Sequence, residues 1–141
     1  MTQRLHKFLG EAAVSLLRTP FEATLYPVVY DKDLAASHIK PFLVGDGRIL
    51  SSETSHHIAK ALMDEDTWEW QWVSRHMAMP QYIFALRSDE VEVNVVLDIS
   101  GKKLGLILGG RVSARDLVVA SEGMSLLLSI VGSPHEESQE N

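Results

Sequence analysis

Trp68-Glu69-Trp70-Gln71-Trp72 holds every tryptophan of the chain, at a spacing of two. Successive side chains of an extended strand point to opposite faces, so the three indoles would share one face, with Glu69 and Gln71 on the other. On a helix the same rings would spread around most of the circumference. The run therefore predicts a strand, at a place where a sheet either buries aromatic surface or offers it to a partner.

The period of two returns after Pro80. Gln81–Leu86, Val91–Ile99 and Lys103–Leu108 read as three successive strands. Ser88-Asp89 and Ser100-Gly101 supply hairpin turns between them, and Gly109-Gly110 offers another tight turn into Arg111-Val112. From Leu117 the pattern becomes helical, and Ser121–Val131 is the expected closing helix. Upstream of the tryptophans, Ser51-Ser52-Glu53 has the chemistry of a helix start. A hydroxyl there satisfies an orphan amide, and Glu53 complements the helix dipole. That helix is expected to end near Met63, before Asp64-Glu65-Asp66, where negative charge is unfavourable. Arg48-Ile49-Leu50 reads as a short strand and Asp31–Lys40 as a polar loop or short helical turn. Phe21, Ala23 and Leu25 alternate with Glu22 and Thr24 toward Tyr30, which predicts a strand. Pro27 lacks an amide donor, so that strand is expected at a sheet edge or with a break. Leu5, Phe8, Leu9, Ala12, Leu16 and Leu17 predict one helix from Gln3 to Arg18, stopped by Pro20.

These elements give an α+β domain. A mostly antiparallel sheet of about four to six strands carries N-terminal, central and C-terminal helices on one face. The tryptophans are then core residues under the helices. The other sheet face is expected to be wet, in keeping with Glu69, Gln71, Glu92 and Asn94. Residues 1–132 read as a single domain, followed by an acidic, solvated tail over 133–141 that contains Glu136, Glu137 and Glu140.

The chain has 141 residues, a formal net charge of −6 and no cysteine. Its size suits one domain with an ordinary core. Negative charge opposes binding to phosphate backbones and anionic lipid, and only Lys102-Lys103 are adjacent cations, so neither nucleic acid nor membrane is an expected partner. Absence of cysteine removes disulfides, thiolate metal sites and cysteine nucleophiles. Residues 5–17 contain Glu11 and no unbroken apolar run, unlike a secretory signal, and Glu11 also departs from the acid-poor pattern of an organelle presequence. The default localisation is cytoplasmic.

Chemistry-bearing residues are few. His56-His57 are adjacent on the expected central helix and point about 100° apart, while a zinc helix needs ligands at i and i+4, where Lys60 stands. They read as surface histidines, and no metal set is expected. Gly101-Lys102-Lys103-Leu104-Gly105 lacks the phosphate-loop pattern, so these glycines read as turn residues. Asp64-Glu65-Asp66 lacks the twelve-position calcium loop and reads as a solvated charge run. A nucleophile, base and acid drawn from Ser74 or Ser100, His76 and Asp98 has no supporting motif. No cofactor is implied. Met77-Ala78-Met79-Pro80 places flexible apolar side chains beside the indoles. Together with Arg75, the Trp68, Trp70, Trp72, Met77 and Met79 group has the composition of an interface hot spot.

Between Ile39 and Pro134 the order of features resembles that of small bacterial α+β proteins of unknown function. The residues that carry the resemblance are Gly47-Arg48-Ile49-Leu50, Ala61-Leu62-Met63-Asp64, Trp68-Glu69-Trp70, Met79-Pro80-Gln81-Tyr82 and Val95-Val96-Leu97-Asp98. Such proteins often carry cysteine before the proline and after the long strand. Here Met79 and Ile99-Ser100 stand at those places, so a cysteine-dependent role would be lost. The resemblance implies the fold outline and brings no activity.

The residues thus support a non-catalytic domain acting by protein contact, as an inhibitor, immunity-type factor, adaptor or subunit of an unidentified partner. A second reading is a small enzyme or ligand-binding domain with a pocket built from Arg75, His76 and Asp98. A third is a homodimer joined through an edge strand or the tryptophan face.

Overall fold

A computed structural model describes residues 2–39, 42–74, 80–89, 91–99, 102–108, 111–112, 116–119 and 121–132, with the side chains of 69–74, 108, 111–112, 116–119 and 121–124 left aside. It contains four α-helices: α1 (Gln3–Leu9), α2 (Glu11–Leu17), α3 (Ser52–Leu62) and α4 (Ser121–Val131). The strands are β1 (Glu22–Val29), β2 (Ser37–Ile39), β3 (Phe42–Val44), β4 (Arg48–Ile49), β5 (Trp68–Ser74), β6 (Tyr82–Ser88), β7 (Val91–Asp98), β8 (Lys103–Leu108), β9 (Arg111–Val112) and β10 (Asp116–Val119). They form one curled antiparallel sheet in the order β2-β3-β1-β6-β7-β8-β10-β5, with β4 added to β1 and β9 to β8. The α+β class and the antiparallel sheet are as the sequence predicts. The strand count rises above four to six because short ribbons flank the long strands.

The N-terminal helix is two helices. Gly10 has φ 88° and ψ 157°, a conformation open to glycine and strained for any residue with a Cβ. Its amide closes α1 on the His6 carbonyl (2.9 Å), and its carbonyl opens α2 by accepting from Val14 (3.0 Å). The break also shifts the apolar stripe: Ala12, expected on the inner face, is exposed, and Ala13 and Val14 take its place. Leu5, Leu9, Ala13, Val14, Leu16 and Leu17 are all buried. They pack on Ala23, Leu25, Phe84, Leu86, Val93, Val95, Leu97, Leu104 and Leu106 from one sheet face. Ile58, Ala59 and Leu62 of α3 and Leu127 and Ile130 of α4 join the same core, so all four helices lie on one face, as expected.

Strand β1 is interior, not an edge. It pairs with β6 from Glu22 to Pro27, and on its other side first with β4 and then with β3. Nor is the strand broken at Pro27, because β1 runs without interruption from Glu22 to Val29 and stays paired with β6 through Pro27. Val28 donates to Gln81 (2.8 Å), whereas the Pro27 carbonyl accepts from Gly45 on the opposite side (2.9 Å). The missing proline donor therefore faces the gap between β3 and β4, where the chain leaves the ladder at Gly45-Asp46-Gly47 and no bond is lost. Gly47 sits close against β1. A Cβ at this position would meet Tyr26 Cε1 at 2.5 Å and Thr24 Cγ2 at 2.8 Å. Gly47→Ala is expected to destabilise the fold by about 1–3 kcal/mol, seen as a lower urea midpoint at unchanged slope.

The second sheet face is only partly wet. Val44, Ile83, Val96 and Ile107 form a separate buried cluster there, flanked by Tyr26, Val28, Ile39 and Phe42. The β2–β3 ribbon brings Ile39, Phe42 and Val44 to this cluster. Asn94, expected in water, is 5% exposed, while Glu92 is exposed and paired with Arg87 at 3.0 Å.

Candidate functional site: the tryptophan strand and its surroundings

The approach to the tryptophan strand is set by the end of α3. Helix termini leave carbonyls without intrahelical partners. Here Thr67 Oγ1 donates to the Ala61 carbonyl (2.6 Å) and Trp68 Nε1 to the Leu62 carbonyl (3.3 Å). Asp64-Glu65-Asp66 serves as a local cap. Its first carboxylate accepts from the Asp66 amide (2.9 Å), opening a 3-10 turn over Glu65–Thr67. Glu65 then ties this turn to the amino terminus through hydrogen bonds from Thr2 and Arg4. Desolvation pushes the Glu65 carboxyl up, but those two bonds and the Arg4 charge outweigh it and leave its pKa below the ordinary carboxylate value.

Trp68 is a core residue. It is 3% exposed, and its ring meets Phe8 of α1 edge-on at 5.1 Å between centroids. Trp70 and Trp72 lie in β5, but their side chains fall outside the described set. The backbone departs from a simple ladder at these residues. Strand β10 pairs Val119 with Trp68 and Val118 with Glu69, then Leu117 with Val73 and Asp116 with Ser74. The register shifts between Leu117 and Val118, and Trp70, Gln71 and Trp72 fall within that irregularity. An extra-residue bulge interrupts pairing and bends a strand. Strand β5 also ends the sheet and pairs only with β10 among the described strands.

Arg75, His76, Met77 and Met79 lie outside the described residues, so of the pocket built from Arg75, His76 and Asp98 only Asp98 is placed. Its side chain is on the second face, 1% exposed, and pairs in register with Lys103. Tyr30 lies near enough to feel its charge. Burial first, and the Asp98 carboxylate second, raise the Tyr30 hydroxyl above its ordinary pKa. That hydroxyl donates to the Pro80 carbonyl (2.7 Å).

Two further features of the second face were not visible in the sequence. Asn94 donates to Glu92 (3.2 Å), but its buried Oδ1 has no hydrogen-bond partner among the described residues. A shallow hollow of about 300 Å³ is lined by Glu22, Thr24, Tyr26, Ile49, Ala85 and Arg87. The alternation of β1 and β6 places these side chains on one face, but only the register brings them together. His56 and His57 are exposed on α3, and their rings are 6.3 Å apart. His57 lies 3.8 Å from Glu53. Among the described residues no three His, Asp or Glu side chains converge as a metal set, and no helix is long and apolar enough to cross a membrane. Comparison with protein-family models, curated proteins and solved structures gives no match, so these residues stand on their own chemistry.

Proposed function

We propose that this domain acts by contact with another polypeptide, without catalysis, and that the tryptophan strand is where contact is made. One observation carries the reading: β5 is the terminal strand of the sheet and pairs only with β10 among the described strands. Edge strands invite strand addition, and proteins usually deter it with lysine or proline. Trp68–Ser74 contains neither. Two of its indoles, Trp70 and Trp72, fall where the β10 ladder is irregular, and aromatic residues are favoured anchors at interfaces.

The test compares binding with stability. Trp70→Ala and Trp72→Ala are each expected to weaken binding to a partner co-purified from the native host by about tenfold or more, a loss near 1.4 kcal/mol. Each is expected to shift the thermal midpoint by no more than a few degrees. If both substitutions simply unfold the domain, the indoles are structural and the reading fails. The pocket of Arg75, His76 and Asp98 remains the rival, supported only by the burial of Asp98. Asp98→Asn distinguishes them, because it would abolish ligand binding in a pocket and leave partner contact through β5 intact.

A further inference from the structure

A groove of about 790 Å³ runs between the α2–β1 connection and one face of α3. Its apolar walls come from Leu17, Phe21, Ala59 and Met63, with Arg18, His56 and Lys60 at its sides. Among the described residues no carboxylate lines it, in a chain whose net charge is −6. Arg4, Arg48 and Arg87 each bond to a carboxylate or a carbonyl, whereas Arg18 and Lys60 make no ion pair among the described residues. Ser55 also lines the groove. It is 5% exposed.

We propose that this groove binds a small amphiphilic carboxylate, a single apolar chain ending in an acid group. The volume lies in the range of small-molecule sites, which combine mostly apolar walls with a few placed polar groups. The apolar chain lies along Leu17, Phe21, Ala59 and Met63. The carboxylate meets Arg18 and Lys60, and charge-assisted bonds of this kind are the stronger class. Ser55 supplies a further donor from the wall. On α3, Ser52, Ser55, His56, Ala59, Lys60 and Met63 recur at three- and four-residue intervals, so the helix presents the site as one face. This inference is independent of the contact assigned to β5, which closes the sheet at its far end from β1.

The test titrates the isotopically labelled full chain with dodecanoate below its micelle concentration and follows amide shifts. Saturable shifts confined to Leu17–Phe21 and α3 are expected. Dodecanol, which has the same chain without the charge, is expected to bind at least about tenfold more weakly. The exposed pair Arg18→Glu with Lys60→Glu is expected to reproduce that loss at unchanged thermal midpoint. Ala59→Trp, which fills the groove, should remove binding. Should Ala59→Trp fail to fold, the charge-reversed pair decides the question alone. No saturable shift, equal binding of dodecanol, or shifts elsewhere would each overturn the proposal. Self-association in sedimentation that disappears in the charge-reversed pair would also overturn it, assigning the groove to a second copy of the chain.

Discussion

Trp68→Ala is expected to lower the unfolding free energy by about 3–5 kcal/mol, read from urea unfolding followed by circular dichroism. The ring is buried against Phe8, and its Nε1 satisfies the Leu62 carbonyl at the end of α3. Truncation leaves a cavity between α1 and α3 and removes that donor. Native domains hold about 5–15 kcal/mol in total, so this variant sits close to the folding limit. Trp68→Phe separates the two contributions. It keeps one of the two fused rings and loses the donor with the smaller ring's volume, for an expected cost of about 1–3 kcal/mol. A loss near zero for Trp68→Ala would mean that α1 does not pack on the start of β5. The contrast with Trp70 and Trp72 is the informative part. Within one run of alternating indoles, one is expected to act on stability and two on binding.

Phe84→Ala is expected to cost a similar amount, about 3–5 kcal/mol. Phe84 is fully buried at the middle of β6, paired with Leu25 of β1 and Val95 of β7. It touches the layer where strands from distant parts of the chain meet the helices, so the cavity cannot be closed by moving one element. Phe84→Leu, which leaves a smaller void, is expected to retain more than half of the lost stability. A groove ligand bound between α2 and α3 would raise the midpoint of either variant, since ligands that bind only the folded state stabilise it by mass action.

Much of this fold was legible because local chemistry and tertiary context agree. Helix α4 spans Ser121–Val131 as its periodicity predicts, α3 begins after its Ser51 cap, and β6, β7 and β8 follow the hairpin pattern. Ser88-Asp89 makes its turn with Asp89 at φ 51°. Illegible elements failed for identifiable reasons. Gly10 lies inside an apolar stripe that continues on both sides, so the period hides the break. Leu117, Val118 and Val119 belong to β10, although the run into α4 keeps a helical rhythm. Short apolar segments do not separate strand from helix by period alone. Strands β2 and β3 are three residues each and fall in or beside polar sequence. Of the candidate site, the strand and the burial of Trp68 could be read directly. The bulge at Trp70–Trp72 could not, because it depends on which residues of β10 lie opposite. The groove of α2 and α3 depends likewise on packing between elements far apart in the chain.

The position of β1 beside β6 also governs how the chain reaches this structure. Strands β6, β7 and β8 follow one another in the chain and pair in that order, so their contacts are local in sequence. β1 must find β6 across the whole stretch from Tyr30 to Gln81, and Arg48 must find the Ile130 and Val131 carbonyls at the end of α4, each at 3.0 Å. Loop closure over such distances precedes the contacts that reward it and slows folding. The β6–β7–β8 meander is therefore the natural nucleus, with β1, β10 and the tryptophan strand arriving afterwards. Interactions formed after the rate-limiting step act mainly on how fast a protein opens. By that ordering, the Trp68 contacts with Phe8 and Leu62 set the lifetime of the folded domain more than the speed of its formation.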